Sequence, residues 1–313
     1  MGSFIVRRLL LTIPVMLAVA LFVFGLLYLA PGDPATMIAG DQATPTDVAK
    51  IRVALGLDQP FPIRFGQWIF AILHGDLGDS LFSGQTVLSM IGQRVAPTFW
   101  LMVLALLISV SVAVPLGVVA AARQGSLADR VVSLVSILGF SLPVFVLGYL
   151  LAYVFALQLG WLPVQGYIAP TEGFWPFISH LILPALAVSG GFIALITRIT
   201  RSAMLEVLSQ DYIRTAKAKG VSRRSVLFVH ALKNAALPIV SVIGIGVATL
   251  ITGAVVTETV FGIPGLGRLI VDSLLRRDYP IIQGVILIFS LAYIVVNLGI
   301  DILYTLLDPR IRY

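Results

Sequence analysis

The stretch LPIVSVIGIGVATLITGAVV, residues Leu237–Val256, contains no charged side chain. A helix needs about 20 predominantly apolar residues to cross a bilayer. Similar apolar runs recur along the chain. They are continuous rather than alternating, which favours helices over the strands of a barrel. We therefore predict an all-α polytopic membrane protein with six spans: Leu9–Ala30, Thr98–Ala122, Val131–Leu157, Phe177–Thr197, Leu237–Val256 and Pro280–Leu306.

The composition supports this interpretation. Of the 313 residues, 58% are hydrophobic and 12% are charged, against roughly 25% charged residues in an ordinary soluble domain. There is no cysteine, which excludes disulfides, thiolate metal sites and cysteine nucleophiles. The histidines His74, His180 and His230 are scattered, without the spacing of a metal site.

The distribution of Lys and Arg predicts the orientation in the membrane. With the N-terminus inside, the inner segments carry 14 of the 21 Lys and Arg residues and the outer segments carry 7. Cytoplasmic loops are enriched in these residues, so both termini are predicted to lie in the cytoplasm. This also explains the net charge of +6 without nucleic acid, whose binding modules are missing.

Two segments outside the spans are large enough to carry function. Residues 31–97 form an outer insertion with turn signals at both Pro31–Pro34 and Pro60–Pro62, and a short amphipathic helix is predicted over Ile63–Leu73. Residues 198–236 form a basic inner loop, and its pattern predicts short helices at the membrane surface that end at Gly220. By composition alone, the inner loop fits an interfacial anchor and a docking element for a soluble partner equally well.

The common catalytic motifs are absent. No Gly-Lys dipeptide occurs, so the chain has no phosphate-binding loop of the ATPase type. Neither the His-Glu-x-x-His nor the Gly-x-Ser-x-Gly pattern is present. The chain is predicted not to be an enzyme.

A secondary transporter or channel is the main alternative from another class. Such proteins place ionisable groups inside their spans, and here Asp301, one turn after Asn297, is the only Asp, Glu, Lys or Arg within a predicted span. Asp301 fits a structural pairing, for example with Arg310, better than ion coupling, and Asn297 fits a hydrogen bond between helices.

The fifth span has small residues at every fourth position: Gly244, Ala248 and Thr252. This spacing lets another helix approach closely. It fits packing within the subunit, and it also fits a wall of a translocation path or a contact with a second permease. Prolines inside four of the spans remove helix hydrogen bonds and are candidate kinks: Pro14, Pro115, Pro143 and Pro184.

Three stretches together resemble a known family. The inner loop reads DYIRTAKAKG over Asp211–Gly220, followed by HALKNA from His230 and by Leu237-Pro238. The second stretch reads ETVFGIPGLGR over Glu258–Arg268, with RDYP over Arg277–Pro280 and DPR at 308–310. The third is N-terminal: PGDP from Pro31, LGLD from Leu55 and GDLG from Gly75. The chain resembles the permease subunits of dipeptide/oligopeptide/nickel-type ABC importers, in which a loop of this kind docks into the ATPase subunit.

One departure concerns the general docking pattern Glu-Ala-Ala-x-x-x-Gly. Arg214 and Thr215 occupy its first two positions, so only Ala216 and Gly220 match. The Leu-Pro pair also comes late, seventeen residues after Gly220. A contact specific to the Glu of that pattern therefore does not carry over.

The resemblance implies a type I ABC importer permease fold in a bacterial-type inner membrane. It implies four partners: a second homologous permease, two ATP-binding cassette ATPase subunits and an extracytoplasmic substrate-binding protein. ATP and Mg would be bound by the ATPases, and no cofactor or metal by this chain. The expected docking residues are Tyr212, Ile213, Arg214, Thr215, Ala216, Lys217, Ala218, Lys219 and Gly220.

The same resemblance suggests the organisation of the chain. Residues 1–93 are expected to hold the first helix and the outer insertion, 94–307 the transmembrane core with the docking loop 198–236, and 308–313 a cytoplasmic tail. The expected substrate is a short peptide, glutathione included. Nickel, a nickel chelate and opine-like conjugates are alternatives.

Overall fold

The computed structural model describes residues 2–29, 34–39, 44–54 and 56–307. Within these ranges the chain is helical, apart from its loops and one isolated bridge between Asp79 and Thr86. Two π-helical segments, Ala152–Gln158 and Val226–Ala231, and a short 3-10 turn, Pro170–Glu172, interrupt the α-helices. The α-helices are α1 Gly2–Leu29, α2 Pro34–Ala39, α3 Pro45–Ala54, α4 Phe61–Leu73, α5 Val87–Ala122, α6 Leu127–Ser141, α7 Val144–Leu151, α8 Phe174–Leu208, α9 Asp211–Ala218, α10 Arg223–Ser225, α11 Leu232–Val260, α12 Leu266–Arg276 and α13 Tyr279–Leu307.

Among the described residues, five helical stretches are long and apolar enough to span a membrane. A sixth span results if the bent pair α6 and α7, with its π-helical continuation, is counted as one. The all-α polytopic fold class is thereby confirmed. Several helices run past their predicted spans: α5 begins at Val87 rather than Thr98, and α8 ends at Leu208 rather than Thr197.

The third predicted span, Val131–Leu157, is present as two arms on either side of a sharp bend at Pro143, one of the four candidate kinks. The helix breaks between Ser141 and Val144, and the chain bends there by 106°. Leu142 adopts an extended conformation (ψ 124°) directly before Pro143. A proline ring disfavours helical geometry in the preceding residue, and Leu142 has the extended conformation that this effect favours.

The other three prolines behave differently. Pro14, Pro115 and Pro184 lie inside the continuous helices α1, α5 and α8. A proline in a spanning helix is tolerated where neighbouring groups satisfy the freed carbonyl. Only one of the four candidate kinks is therefore a break.

By packing, the chain forms two compact units, and each is built from two chain stretches. The first comprises Met1–Val95 and Leu269–Ile294. In it, the predicted amphipathic helix over Ile63–Leu73 is confirmed as α4, whose Phe65 and Trp68 rings lie 5.5 and 5.1 Å from that of Phe24. A second anchor in this unit is the buried Asp278 carboxylate, which accepts bonds from the Ser80 hydroxyl (2.6 Å) and the Leu81 amide (3.2 Å).

The second unit comprises Ala96–Arg268 and Val295–Tyr313. Helix α8 is its centre and packs against α6, α7 and α11. One apolar core includes Leu181, Phe192 and Phe261, and a second includes Val118, Met204 and others around the docking loop.

The predicted division into 1–93, 94–307 and 308–313 follows chain order and stays a prediction. Its last part, the motif at 308–310 and parts of the N-terminal motifs at Pro31–Asp33 and Leu55 lie outside the described residues.

Candidate functional site

The predicted docking residues centre on helix α9. Seven of the nine, Tyr212–Ala218, lie within it. In its first turn Asp211 lies 3.2 Å from the Arg214 guanidinium, and the two side chains are 94% and 74% exposed. An ion pair this exposed contributes little to stability, so both charges remain accessible to a partner.

One residue fixes α9 to the rest of the unit. Ile213 is fully buried, in the core cluster that contains Met204 and Val226. Tyr212, by contrast, is 45% exposed, and Lys217 is exposed on the same short helix. Helix α9 is thus held on one side by an apolar anchor, and its polar side faces outward.

The turn after α9 explains the glycine at 220. Gly220 has a φ of 81°, a conformation that costs little only for residues without Cβ. Its amide donates to the Lys217 carbonyl (3.0 Å), and the Val221 amide donates to the Ala216 carbonyl (3.2 Å). These two bonds form a Schellman motif, which satisfies the last carbonyls of the helix. Among the described residues, none has an atom within 4 Å of where a Cβ at Gly220 would lie.

After the turn, Ser222 caps α10 by accepting a bond from the Ser225 amide (3.3 Å). The neighbouring Arg223 donates from Nη2 to the Ala122 carbonyl at the end of α5 (2.8 Å). A cation at a helix C-terminus also interacts favourably with the helix dipole. Arg223 therefore connects the loop 198–236 to the spanning helix α5.

A groove of about 640 Å³ lies between the ends of α5 and α8 and the docking loop. Leu205, Leu208 and Leu227 are among its apolar lining residues, and Arg123, Lys217 and Arg223 contribute cations. A groove of this chemistry suits a protein segment with apolar and acidic side chains.

The stripe of small residues on α11 has one close contact. A Cβ at Gly244 would lie 2.4 Å from the Ile300 side chain, so the glycine lets α11 and α13 approach. Ala248 is half-buried, and the exposed Thr252 donates its hydroxyl to the Ala248 carbonyl (3.2 Å). A role for these residues in the translocation path stays a prediction.

Asn297 and Asp301 lie one turn apart on α13, and both are half-buried. Arg310, the suggested partner of Asp301, lies outside the described residues. Their expected roles also stay predictions. The structure places them on the helix that Gly244 approaches, away in sequence from the docking loop.

Sequence reasoning assigned no role to Glu258, which the structure shows to be fully buried. Its carboxylate accepts bonds from the Thr98 hydroxyl (2.6 Å) and the Arg268 amide (3.0 Å). Thr98 in turn accepts a bond from the Leu266 amide (2.8 Å). We call this group the Glu258 anchor, because it fastens the loop Phe261–Gly265 and the start of α12 to α5 and α11.

The glycines of that loop make the anchor sterically feasible. A Cβ at Gly265 would lie 2.3 Å from the Glu258 carboxylate, and one at Gly267 would lie 2.5 Å from Cα of Val255. A glutamate followed by closely spaced glycines was therefore the sequence signal for this site.

A second missed feature is an ion pair between α6 and α8. Arg201 donates from Nε and Nη2 to the two carboxylate oxygens of Asp129, at 2.6 and 2.8 Å. Such two-point pairs fix orientation as well as distance. The two residues are 72 positions apart, so no local sequence pattern predicts that they pair.

Within the described ranges, no three His, Asp or Glu side chains converge where they could hold a metal ion.

Comparison with known proteins identifies the family. Residues 113–313 match the model of the binding-protein-dependent transport system inner membrane component, and residues 1–102 match the model of its N-terminal part. The chain belongs to this family. The permease is thus a multi-pass protein of the inner membrane.

Curated relatives match the permease over its whole length. The "Probable peptide ABC transporter permease protein y4tP" of Sinorhizobium fredii is 54% identical, and the alignment covers 100% of both chains. The glutathione transport system permease protein GsiC of Salmonella typhi is 42% identical, again over 100% of both.

A solved structure shows the fold. A chain of the MetNI methionine ABC transporter, in an inward-facing conformation, superposes with a TM-score of 0.58 at 17% identity. The match covers 70% of the permease and 96% of that chain. The permease therefore has the type I ABC importer permease fold that the sequence predicted.

Proposed function

We propose that the permease imports short peptides, glutathione among the candidates, as one half of a translocation path. The observation that carries this proposal is the full-length similarity to permeases named for peptide and glutathione transport. A second homologous permease forms the other half of the path. An extracytoplasmic binding protein delivers the substrate, and two ATP-binding cassette ATPases supply the energy.

In this proposal the permease itself catalyses no reaction and binds no cofactor. ATP and Mg belong to the ATPase partners, and α9 with Gly220 is their docking element. The charge distribution along the sequence supports the required orientation, with both termini and the loop 198–236 in the cytoplasm.

The mechanism follows from how α9 is held. Closure of the ATPase dimer on ATP moves α9, and Ile213 and the Arg223 bond to Ala122 transmit the motion to α8 and α5. The spans then change from an inward-facing to an outward-facing arrangement beside the loaded binding protein. ATP can shift this balance only if the ATPases bind the two arrangements with different affinity.

The first experiment is purification of the tagged permease from its native membrane in mild detergent, followed by mass identification of the proteins that come with it. A second permease and ATPase subunits in fixed ratio are the expected result. A permease that purifies alone or only with copies of itself would instead favour a self-contained secondary transporter.

The second experiment identifies the substrate. The complex is reconstituted in vesicles with its binding protein, and uptake of labelled dipeptide, oligopeptide, glutathione and nickel is compared. We expect peptide uptake that stops when ATP is removed at fixed ion gradients. Uptake of nickel alone, or uptake that persists without ATP, would contradict the proposal.

A further inference from the structure

Helices α6 and α8 are held together at two separate levels. At one level, a Cβ at Gly139 would lie 3.2 Å from the Gly190 carbonyl oxygen, so the backbones are in close approach. At the other, the Asp129–Arg201 pair joins the helices by two hydrogen bonds. Ten or eleven residues separate the two levels on each helix, which corresponds to about 15 Å.

Residues 132–141 of α6 and 194–201 of α8 line a cavity of about 280 Å³, which we call the α6–α8 wedge. Val132, Ile137, Phe140 and Leu195 supply most of its apolar wall. Phe140 is 68% exposed, so the wedge opens to the outside of the unit. On the same helix Leu134 and Leu138 are more than half exposed. The opening therefore lies in an apolar surface.

The polar side chains of the wedge differ in whether they already have a partner. Arg201 is engaged by Asp129, whereas Arg198, one turn earlier on α8, is exposed. In the part of the chain that the structure describes, no carboxylate pairs with Arg198. The Ser136 and Ser141 hydroxyls donate to carbonyls of their own helix, both at 2.8 Å. The wedge thus offers one available cation at the rim of an apolar gap.

We propose that the α6–α8 wedge binds an anionic phospholipid, with the phosphate against Arg198 and part of an acyl chain between the helices. Basic pockets between spanning helices recognise acidic headgroups, and an arginine fork matches phosphate oxygens. On the orientation proposed above, this lipid belongs to the cytoplasmic leaflet.

A peptide fits the wedge less well than a lipid. A free dipeptide carries an ammonium group in addition to its carboxylate, and the wedge has no carboxylate left to receive it, because Asp129 is paired. Leaving a charged group without a partner in an apolar gap is unfavourable. A soluble phosphate would satisfy Arg198 and leave the apolar wall uncovered.

One helix, α8, connects the wedge to the predicted docking loop. Helix α8 lines the wedge with Arg198 and Arg201 and continues to Leu208, which lines the groove of about 640 Å³ described above. A lipid between α6 and α8 would therefore contact a helix that also packs against the predicted docking loop.

The test uses the whole transport complex in nanodiscs with a photoactivatable phosphatidylglycerol, and the crosslinked peptides are identified by mass spectrometry. We expect crosslinks on α6 and α8 at the wedge. Arg198→Gln removes the charge-assisted contact with the phosphate, so the yield should fall roughly tenfold, which corresponds to about 1.4 kcal/mol. Arg130→Gln is the matched control: this exposed arginine lies on α6 and does not line the wedge. It should change the yield less than about twofold, because exposed charges act weakly.

Further arms separate the possible occupants. Ser133→Leu fills the gap and should abolish the crosslink, while a photoactivatable phosphatidylcholine should give a lower yield than phosphatidylglycerol. Excess glycerol phosphate or dipeptide should leave the yield unchanged. Equal loss in both arginine variants would reduce the effect to general surface charge. A crosslink that survives Ser133→Leu, or that a dipeptide or glycerol phosphate displaces, would overturn the proposal.

Discussion

The Glu258 anchor and the predicted docking helix α9 both carry ionisable side chains close to glycines in the sequence, and they use these side chains in opposite ways. Glu258 is fully buried and accepts bonds from Thr98 and Arg268. The Asp211 and Arg214 side chains of α9 are 94% and 74% exposed. A buried, hydrogen-bonded carboxyl group fixes the local structure, whereas an exposed ion pair adds little stability and is available for recognition.

The glycines of the two regions are also required for different reasons. Gly265 and Gly267 are required because neighbouring atoms would lie within 2.5 Å of an added Cβ. Gly220 has open space around it and is required by its φ of 81°. Glycine thus allows close packing at the Glu258 anchor and allows the left-handed turn after α9.

The largest effect is expected at the anchor. Glu258→Ala leaves the Thr98 hydroxyl and the Arg268 amide without this acceptor, at about 1–3 kcal/mol each, and adds a cavity. We expect a large fall in the melting temperature of the detergent-solubilised complex. Glu258→Gln keeps the shape and one good acceptor, and should lie between this variant and the wild type. An unchanged melting temperature in Glu258→Ala would mean that the anchor is not a stabilising contact.

The next effect is expected at the buried side of α9. Ile213→Ala should cost about 2–3 kcal/mol, because large-to-small changes in a core lose both burial and packing. ATP-driven uptake should fall as well, since α9 loses its attachment. Ile213→Val, at about 0.5–1.5 kcal/mol, gives the graded control. Thermal unfolding and vesicle uptake are measured on the same preparations. Full uptake in the alanine variant would show that the attachment does not transmit motion.

A smaller effect on stability is expected at Gly220. Gly220→Glu and Gly220→Asn both add a side chain, but Asn tolerates a positive φ better. The strain of the Glu variant should amount to about 1–2 kcal/mol. We expect Gly220→Glu to uncouple ATPase activity from uptake while the permease still inserts, and Gly220→Asn to retain more uptake. Normal uptake by Gly220→Glu would refute the docking assignment.

The smallest effect is expected for the exposed pair of α9. Asp211→Asn should leave the melting temperature within experimental error, because both side chains are exposed and well solvated. Arg214→Glu should be equally silent in thermal unfolding and should lower coupling to the ATPases. A clear loss of stability in either variant would remove the contrast with the Glu258 anchor.

The sequence predicted the membrane fold well because the hydropathy of a segment indicates whether it lies in lipid or in water. It located the spans and the amphipathic helix α4, and the residue pattern of the inner loop predicted a short helix that ends at Gly220. The docking role of that helix stays a prediction. The sequence missed where helices end. Residues 87–97, which include Gln93 and Arg94, are too polar to be counted in a span and are nevertheless helical.

What the sequence could not show depends on distant partners. Pro14, Pro115 and Pro184 are accommodated within helices and Pro143 is not, and only the surrounding packing separates these cases. The Asp129–Arg201 pair and the Thr98–Glu258 bond join residues 72 and 160 positions apart. The hydrophobic periodicity of one segment does not show which distant residues it will contact.

The break at Pro143 has a consequence for how the permease is solvated. Helix α6 has 15 residues, about 22 Å, and the other arm, Val144–Gln158, is equally long, so neither arm alone crosses a hydrocarbon layer of about 30 Å. If both arms lie in the bilayer, the bend between them lies at membrane depth, where lipid tails cannot hydrogen-bond to an interrupted backbone. Protein or a water-filled space must cover that point. The bend thus marks a part of the surface that lipid tails alone cannot enclose.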